Sequence, residues 1–86
     1  MCQRILIVEQ CQAMADRIAL LLEKLGHQVR IARDLEAALV VAQNFCPQVV
    51  LVDPTLPDIG TCQAAMGLRS VLIDERLRII AMDLMH

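Results

Sequence analysis

The 86 residues carry a net charge of −2 and a 57% hydrophobic composition, with Phe45 as the one aromatic side chain. There is neither a basic stripe nor a stacking platform, which argues against nucleic-acid binding. The longest apolar run, Ala37 to Ala42, is six residues, too short to span a membrane, and the run that stops at Glu9 is too short for the core of a secretory signal.

One small cytoplasmic domain over residues 1–86 is therefore expected. Its first element is a strand at about Arg4–Val8, where four consecutive apolar residues run into Glu9. Uninterrupted runs of this kind mark strands buried on both faces, as in parallel sheets. A helix follows from about Gln12 to Leu25, with Met14, Ile18, Leu21, Leu22 and Leu25 as its apolar stripe and Gly26 as its C-terminal stop. Gln28–Ala32 reads as a short second strand. Asp34 can cap a second helix from about Leu35 to Phe45, with Leu35, Ala38, Leu39 and Ala42 as its apolar positions. That helix stops at Cys46-Pro47, because a residue before proline avoids the helical region.

The third strand, Val49-Val50-Leu51-Val52, runs straight into Asp53, and Pro54 and Pro57 end regular structure. A third helix is expected at about Thr61–Arg69, with Gly67 lowering its propensity by roughly 1 kcal/mol. After the charged turn Asp74-Glu75-Arg76, a fourth strand Arg78-Ile79-Ile80-Ala81-Met82 ends at Asp83. Alternating strands and helices at this spacing give a parallel sheet with right-handed crossovers. Chemistry in such sheets sits outside the carboxyl ends of the strands. Glu9, Asp53 and Asp83 are thus expected to converge on one edge.

The remaining candidate groups carry less. Cys2, Cys11, Cys46 and Cys62 form no CxxC pair, and His27 and His86 complete no zinc pattern. The cysteines read as small apolar reduced thiols, and His27 as a solvated turn residue at the opposite edge of the sheet. The pair Glu9 and Asp53 has the residue types for acid–base hydrolysis, but so short a chain implies no substrate-sized pocket, so no enzymatic activity is expected. A flavodoxin-type nucleotide or flavin binder needs a glycine- or hydroxyl-rich turn to cradle phosphate. The turn here is Glu9-Gln10-Cys11-Gln12, acidic and without glycine.

In Ile5-Leu6-Ile7-Val8-Glu9-Gln10, Val50-Leu51-Val52-Asp53, Leu56-Pro57-Asp58-Ile59 and Ile79-Ile80-Ala81-Met82-Asp83, the chain resembles the response-regulator receiver domain. This is the phosphoacceptor module of two-component signalling, and the proline four residues after Asp53 is a strong signal of it. The resemblance implies an α/β, flavodoxin-like three-layer αβα fold with parallel strand order 2-1-3-4. The chain lacks the fourth helix, fifth strand and fifth helix of a complete receiver, and with them the lysine that pairs with the phosphoryl group. An open fourth strand is a template for pairing with another chain, so the expectation is either that the 86 residues are a piece of a longer protein or that a second copy or a partner completes the fold at that edge.

The resemblance also implies the roles of particular residues. Asp53 stands at the phosphoacceptor position, with Mg²⁺ held by Glu9, Asp53 and the backbone carbonyl of Thr55. Gln10 stands where receivers carry a second acid, and supplies an oxygen without charge. Asp83 replaces the Ser or Thr whose hydrogen bond to the phosphoryl group is worth roughly 1.5–3 kcal/mol. Two unit charges ~5 Å apart at an effective dielectric near 20 interact by about 3 kcal/mol, so Asp83 repels where its counterpart attracts. The function implied is a receiver in phosphorelay signalling with weakened or lost phosphorylation at Asp53, partnered by a histidine kinase or an output domain. The alternative is a pseudo-receiver acting only as a protein–protein interaction or dimerisation module. No nucleic acid or membrane partner is implied.

Overall fold

The computed structural model describes residues 2–53 and 78–81. In chain order its elements are β1 (Arg4–Val8), α1 (Gln12–Lys24), β2 (Gln28–Ala32), α2 (Leu35–Phe45), β3 (Val49–Val52) and β4 (Arg78–Ala81). The four strands form one sheet in the order β2-β1-β3-β4, and every neighbouring pair is parallel. This is the topology expected from the alternation of apolar runs and helical stripes. The expected third helix lies outside the described residues.

β1 is hydrogen-bonded on both sides, and Ile5 to Val8 are all buried, which is why its sequence shows no polar alternation. Successive side chains still point to opposite faces. Leu6, Val8, Val50 and Val52 meet Ala38 and Ala42 of α2 on one face. Ile5, Ile7 and Val49 meet Ala15 and Ala19 of α1 on the other. The two helices thus cover opposite faces and leave the strand ends as the rim. Leu6 and Ile7 are fully buried, each contributing about 1.5–3 kcal/mol of transfer free energy.

The face that α1 buries differs from the stripe read in the sequence. Ala15 and Ala19 face the sheet, with Ile18 and Leu22 alongside, whereas Leu21 and Leu25 are 63% and 71% exposed. At about 100° per residue, Leu21 lies about 140° round the helix from the Ala15–Ala19 line. Two small residues allow the helix to sit close against the sheet, and the leucine stripe is rotated to one flank. Hydrophobicity alone could not choose between these faces.

The helix ends follow from identifiable groups. Lys24 sits in the last turn of α1, where a cation complements the helix dipole. Gly26 follows at φ 93°, a backbone region that costs glycine nothing, and the His27 N–H donates to the Leu22 carbonyl at 3.1 Å. At α2, Asp34 Oδ1 accepts from the Ala37 N–H at 2.8 Å, as the sequence leads one to expect of an N-cap. Cys46 closes α2 in the left-handed region at φ 51° and ψ 63°, and its carbonyl accepts from Arg4 Nε at 2.8 Å. His27 is half-buried, and its Nδ1 accepts from the Gln3 N–H at 3.1 Å. It therefore ties the segment before β1 to the start of β2, and is not the solvated turn residue expected from sequence.

Candidate functional site

The site is built at the carboxyl ends of β1 and β3. Their parallel register runs from Ile5↔Val49 to Val8↔Val52, so the next residues, Glu9 and Asp53, leave the sheet at the same level on adjacent strands. Neighbouring strands lie about 4.8 Å apart, which sets the scale of the separation. The ladder extends one bond further on each: the Asp53 N–H donates to the Val8 carbonyl at 2.9 Å, and the Glu9 N–H to the Ala32 carbonyl at 3.0 Å. Backbone hydrogen bonds thus fix both acids.

Both acids are buried, Glu9 to 1% and Asp53 to 2% relative exposure. Ionisable side chains are rarely buried to this degree unless something compensates them. Part of the compensation for Glu9 is local, since its Oε1 accepts the Cys11 N–H at 3.1 Å. That bond closes the turn from β1 into α1, whose N-cap residue Cys11 makes no side-chain cap bond of its own. The contact was not readable from sequence, because backbone donors leave no trace in a side-chain pattern.

Of the residues singled out in the sequence, the structure brings Glu9 and Asp53 together. Gln10 follows Glu9 in the turn, and its side chain is exposed. Thr55 and Asp83 lie outside the described residues, as do Asp58, Cys62 and His86. The described end of β4 pairs Ala81 with Val52, so β4 reaches the level of the acidic pair. Cys2, Cys11 and Cys46 are free thiols and exposed. Among the described residues no three metal-ligating side chains cluster, and no helix is long and apolar enough to cross a membrane.

The donor set fits a small hard cation. Two carboxylates on one rim supply oxygens, the ligand type Mg²⁺ prefers, and Mg²⁺ is commonly held by one or two protein carboxylates plus waters and phosphate oxygens. A buried carboxylate at the end of a rigid strand is also a positioned oxygen nucleophile. A doubly wound parallel α/β layer fold with an acidic pair at the β1–β3 switch point is thereby defined.

Solved structures share this architecture. A CheY-like response-regulator receiver domain from Methylobacillus flagellatus is 30% identical, with 94% of this chain and 69% of that one covered and a TM-score of 0.83. The Vibrio cholerae chemotaxis protein CheY4 matches 94% of this chain and 68% of its own at 20% identity and TM-score 0.84. The anti-anti-sigma factor PhyR of Bartonella quintana matches at 28% identity and TM-score 0.74, over 94% of this chain and 33% of PhyR. The chain thus spans about a third of the length of that larger protein. No family model matches the sequence, and no curated protein matches it. The chain belongs to the receiver-domain family of response regulators.

Proposed function

We propose that this receiver works in phosphorelay signal transduction, with Asp53 as a phosphoacceptor of weakened capacity. The observation that supports it most is the juxtaposition of Glu9 and Asp53, both buried, at the adjacent ends of β1 and β3. An Asp53 carboxylate oxygen attacks the phosphorus of a kinase phosphohistidine. The new P–O bond forms as the P–N bond breaks, and the imidazole leaves and takes up a proton. Glu9 Oε1 is oriented by the Cys11 N–H and keeps a second carboxylate beside the nucleophile. Glu9, Asp53 and the Thr55 carbonyl would hold Mg²⁺, whose positive charge would let a phosphoryl group approach two acids.

Two residues support the word weakened. Gln10 offers no charge where the family carries an acid, and Asp83 stands where the family carries a hydroxyl. Both lower the stability of a phosphorylated Asp53, and both support a second reading, a pseudo-receiver that signals by protein contact alone. PhyR of Bartonella quintana, a 28% identical neighbour, forms a complex with the anti-sigma factor NepR. By analogy, the partner of this cytoplasmic module is a histidine kinase or an output protein. Pairing at β4, the last strand of the described sheet, is a second route to assembly.

The test is incubation with acetyl phosphate and Mg²⁺, followed by mass spectrometry of the peptide containing Asp53. Sub-stoichiometric labelling that requires Mg²⁺ and vanishes in Asp53→Asn is the expected result. An unlabelled Asp53 at saturating Mg²⁺ overturns the phosphoacceptor reading in favour of the pseudo-receiver.

A further inference from the structure

The outer face of α2 is unusual for a surface helix. Eight of its eleven residues are apolar; Ala38 and Ala42 are buried in the core, Leu35, Ala37, Leu39 and Val41 are partly buried against it, and Val40 stands exposed beyond them. Val40 is 59% exposed, and together with Val41 it forms a ridge between two open hollows. One, of about 440 Å³, includes Asp34, Glu36 and Ala37 in its lining. The other, of about 360 Å³, includes Arg30, Asn44 and Phe45. Arg30 is held in place there, its guanidinium 4.9 Å from the centre of the Phe45 ring.

The arrangement is self-complementary. Val40 is near the midpoint of α2, with Glu36 four residues before it and Asn44 four after, each about 6 Å along the axis at 1.5 Å per residue. The end of the ridge nearer the helix start is acidic, and the end nearer its finish carries a fixed cation. A two-fold axis through Val40 exchanges these ends, so the acidic hollow of one copy faces the Arg30 hollow of the other. Such isologous contacts are the commonest form of protein self-association.

We infer that α2 pairs antiparallel with α2 of a second copy of this chain. Val40 and Val41 pack at the two-fold axis, and Glu36 of each copy meets Arg30 of the other. One three-turn helix per copy buries less than the ~800 Å² per partner of a standard interface, so the pair is weak and concentration-dependent. It uses no group of the Asp53 site, and Asp53→Asn associates like the parent.

Sedimentation equilibrium from micromolar to millimolar concentration tests it, with circular dichroism as the folding control. The parent's average mass rises towards that of a dimer, and Val40→Glu self-associates at least tenfold more weakly. Glu36→Arg and Arg30→Glu each weaken self-association at least tenfold, because each sets like charges face to face twice. Mixing these two variants restores association, since every cross-copy contact again joins opposite charges. Leu21→Glu, on the flank of α1, associates like the parent. A parent that stays monomeric at every concentration overturns the inference. So does a dimer indifferent to Val40→Glu, or one that the mixed variants fail to restore.

Discussion

Replacing Glu9 by Gln probes the acidic rim through stability. Glu9 and Asp53 follow the Val8↔Val52 pair and are both almost fully buried. At ~5 Å and an effective dielectric near 20, two carboxylates repel by about 3 kcal/mol, and salt screens a buried pair little. Gln at position 9 keeps an oxygen to accept the Cys11 N–H, now 3.1 Å from Glu9 Oε1, so that bond survives. In EDTA the variant should gain about 1–3 kcal/mol over the parent, with each kcal/mol worth roughly 4–8 °C in a domain of this size. Saturating Mg²⁺ reverses the order of benefit. A ligand at 100 times its Kd stabilises by about 2.7 kcal/mol, a gain the parent realises and Glu9→Gln largely forfeits. Differential scanning fluorimetry of both proteins in EDTA and in excess Mg²⁺ reads all four values. The reasoning fails if Glu9→Gln melts below the parent in EDTA, or if both gain equally from Mg²⁺.

Substitutions at three further positions test how the frame is held. Asp34→Ala removes the acceptor of the Ala37 N–H at 2.8 Å and should cost about 1 kcal/mol in urea titration, with Asn restoring most of it. Cys46→Gly relieves a left-handed residue at φ 51°. Offset by the added freedom of the unfolded chain, it should gain up to about 1 kcal/mol, whereas Cys46→Val should lose stability by a similar amount. Leu6→Ala opens a cavity at the fully buried centre of β1 and should cost about 3–5 kcal/mol, seen as a large fall in the urea midpoint.

Sequence carried the fold wherever local chemistry and pattern agreed. The apolar runs of β1 and β3, the Asp34 cap and the Gly26 stop each have one physical reading, and β1, β2, α2 and β3 lie where that reading puts them. The buried face of α1 was legible in part: Ile18 and Leu22 of the stripe pack against the core, but the alanines that permit close packing look weaker on a hydrophobicity scale than the leucines beside them. The stop of α2 at Cys46 was legible from Pro47, but its left-handed backbone and the bond from Arg4 were not, since a thiol advertises neither. For the site, two acids could be placed because parallel topology brings strand ends together. The role of His27, by contrast, depends on the N–H of Gln3, 24 positions away. Contacts made by backbone groups across the chain are the part that side-chain patterns do not encode.

The most direct test of the account is an amide-resolved NMR titration with Mg²⁺ and then beryllofluoride, a phosphoryl mimic. A single acidic site predicts saturable Mg²⁺-dependent shifts at Glu9 and Asp53 together, a further beryllofluoride shift at Asp53 that needs Mg²⁺, and loss of both in Asp53→Asn. Amides at Glu9 and Asp53 that stay unmoved at saturating Mg²⁺, or that respond with different apparent affinities, would contradict it.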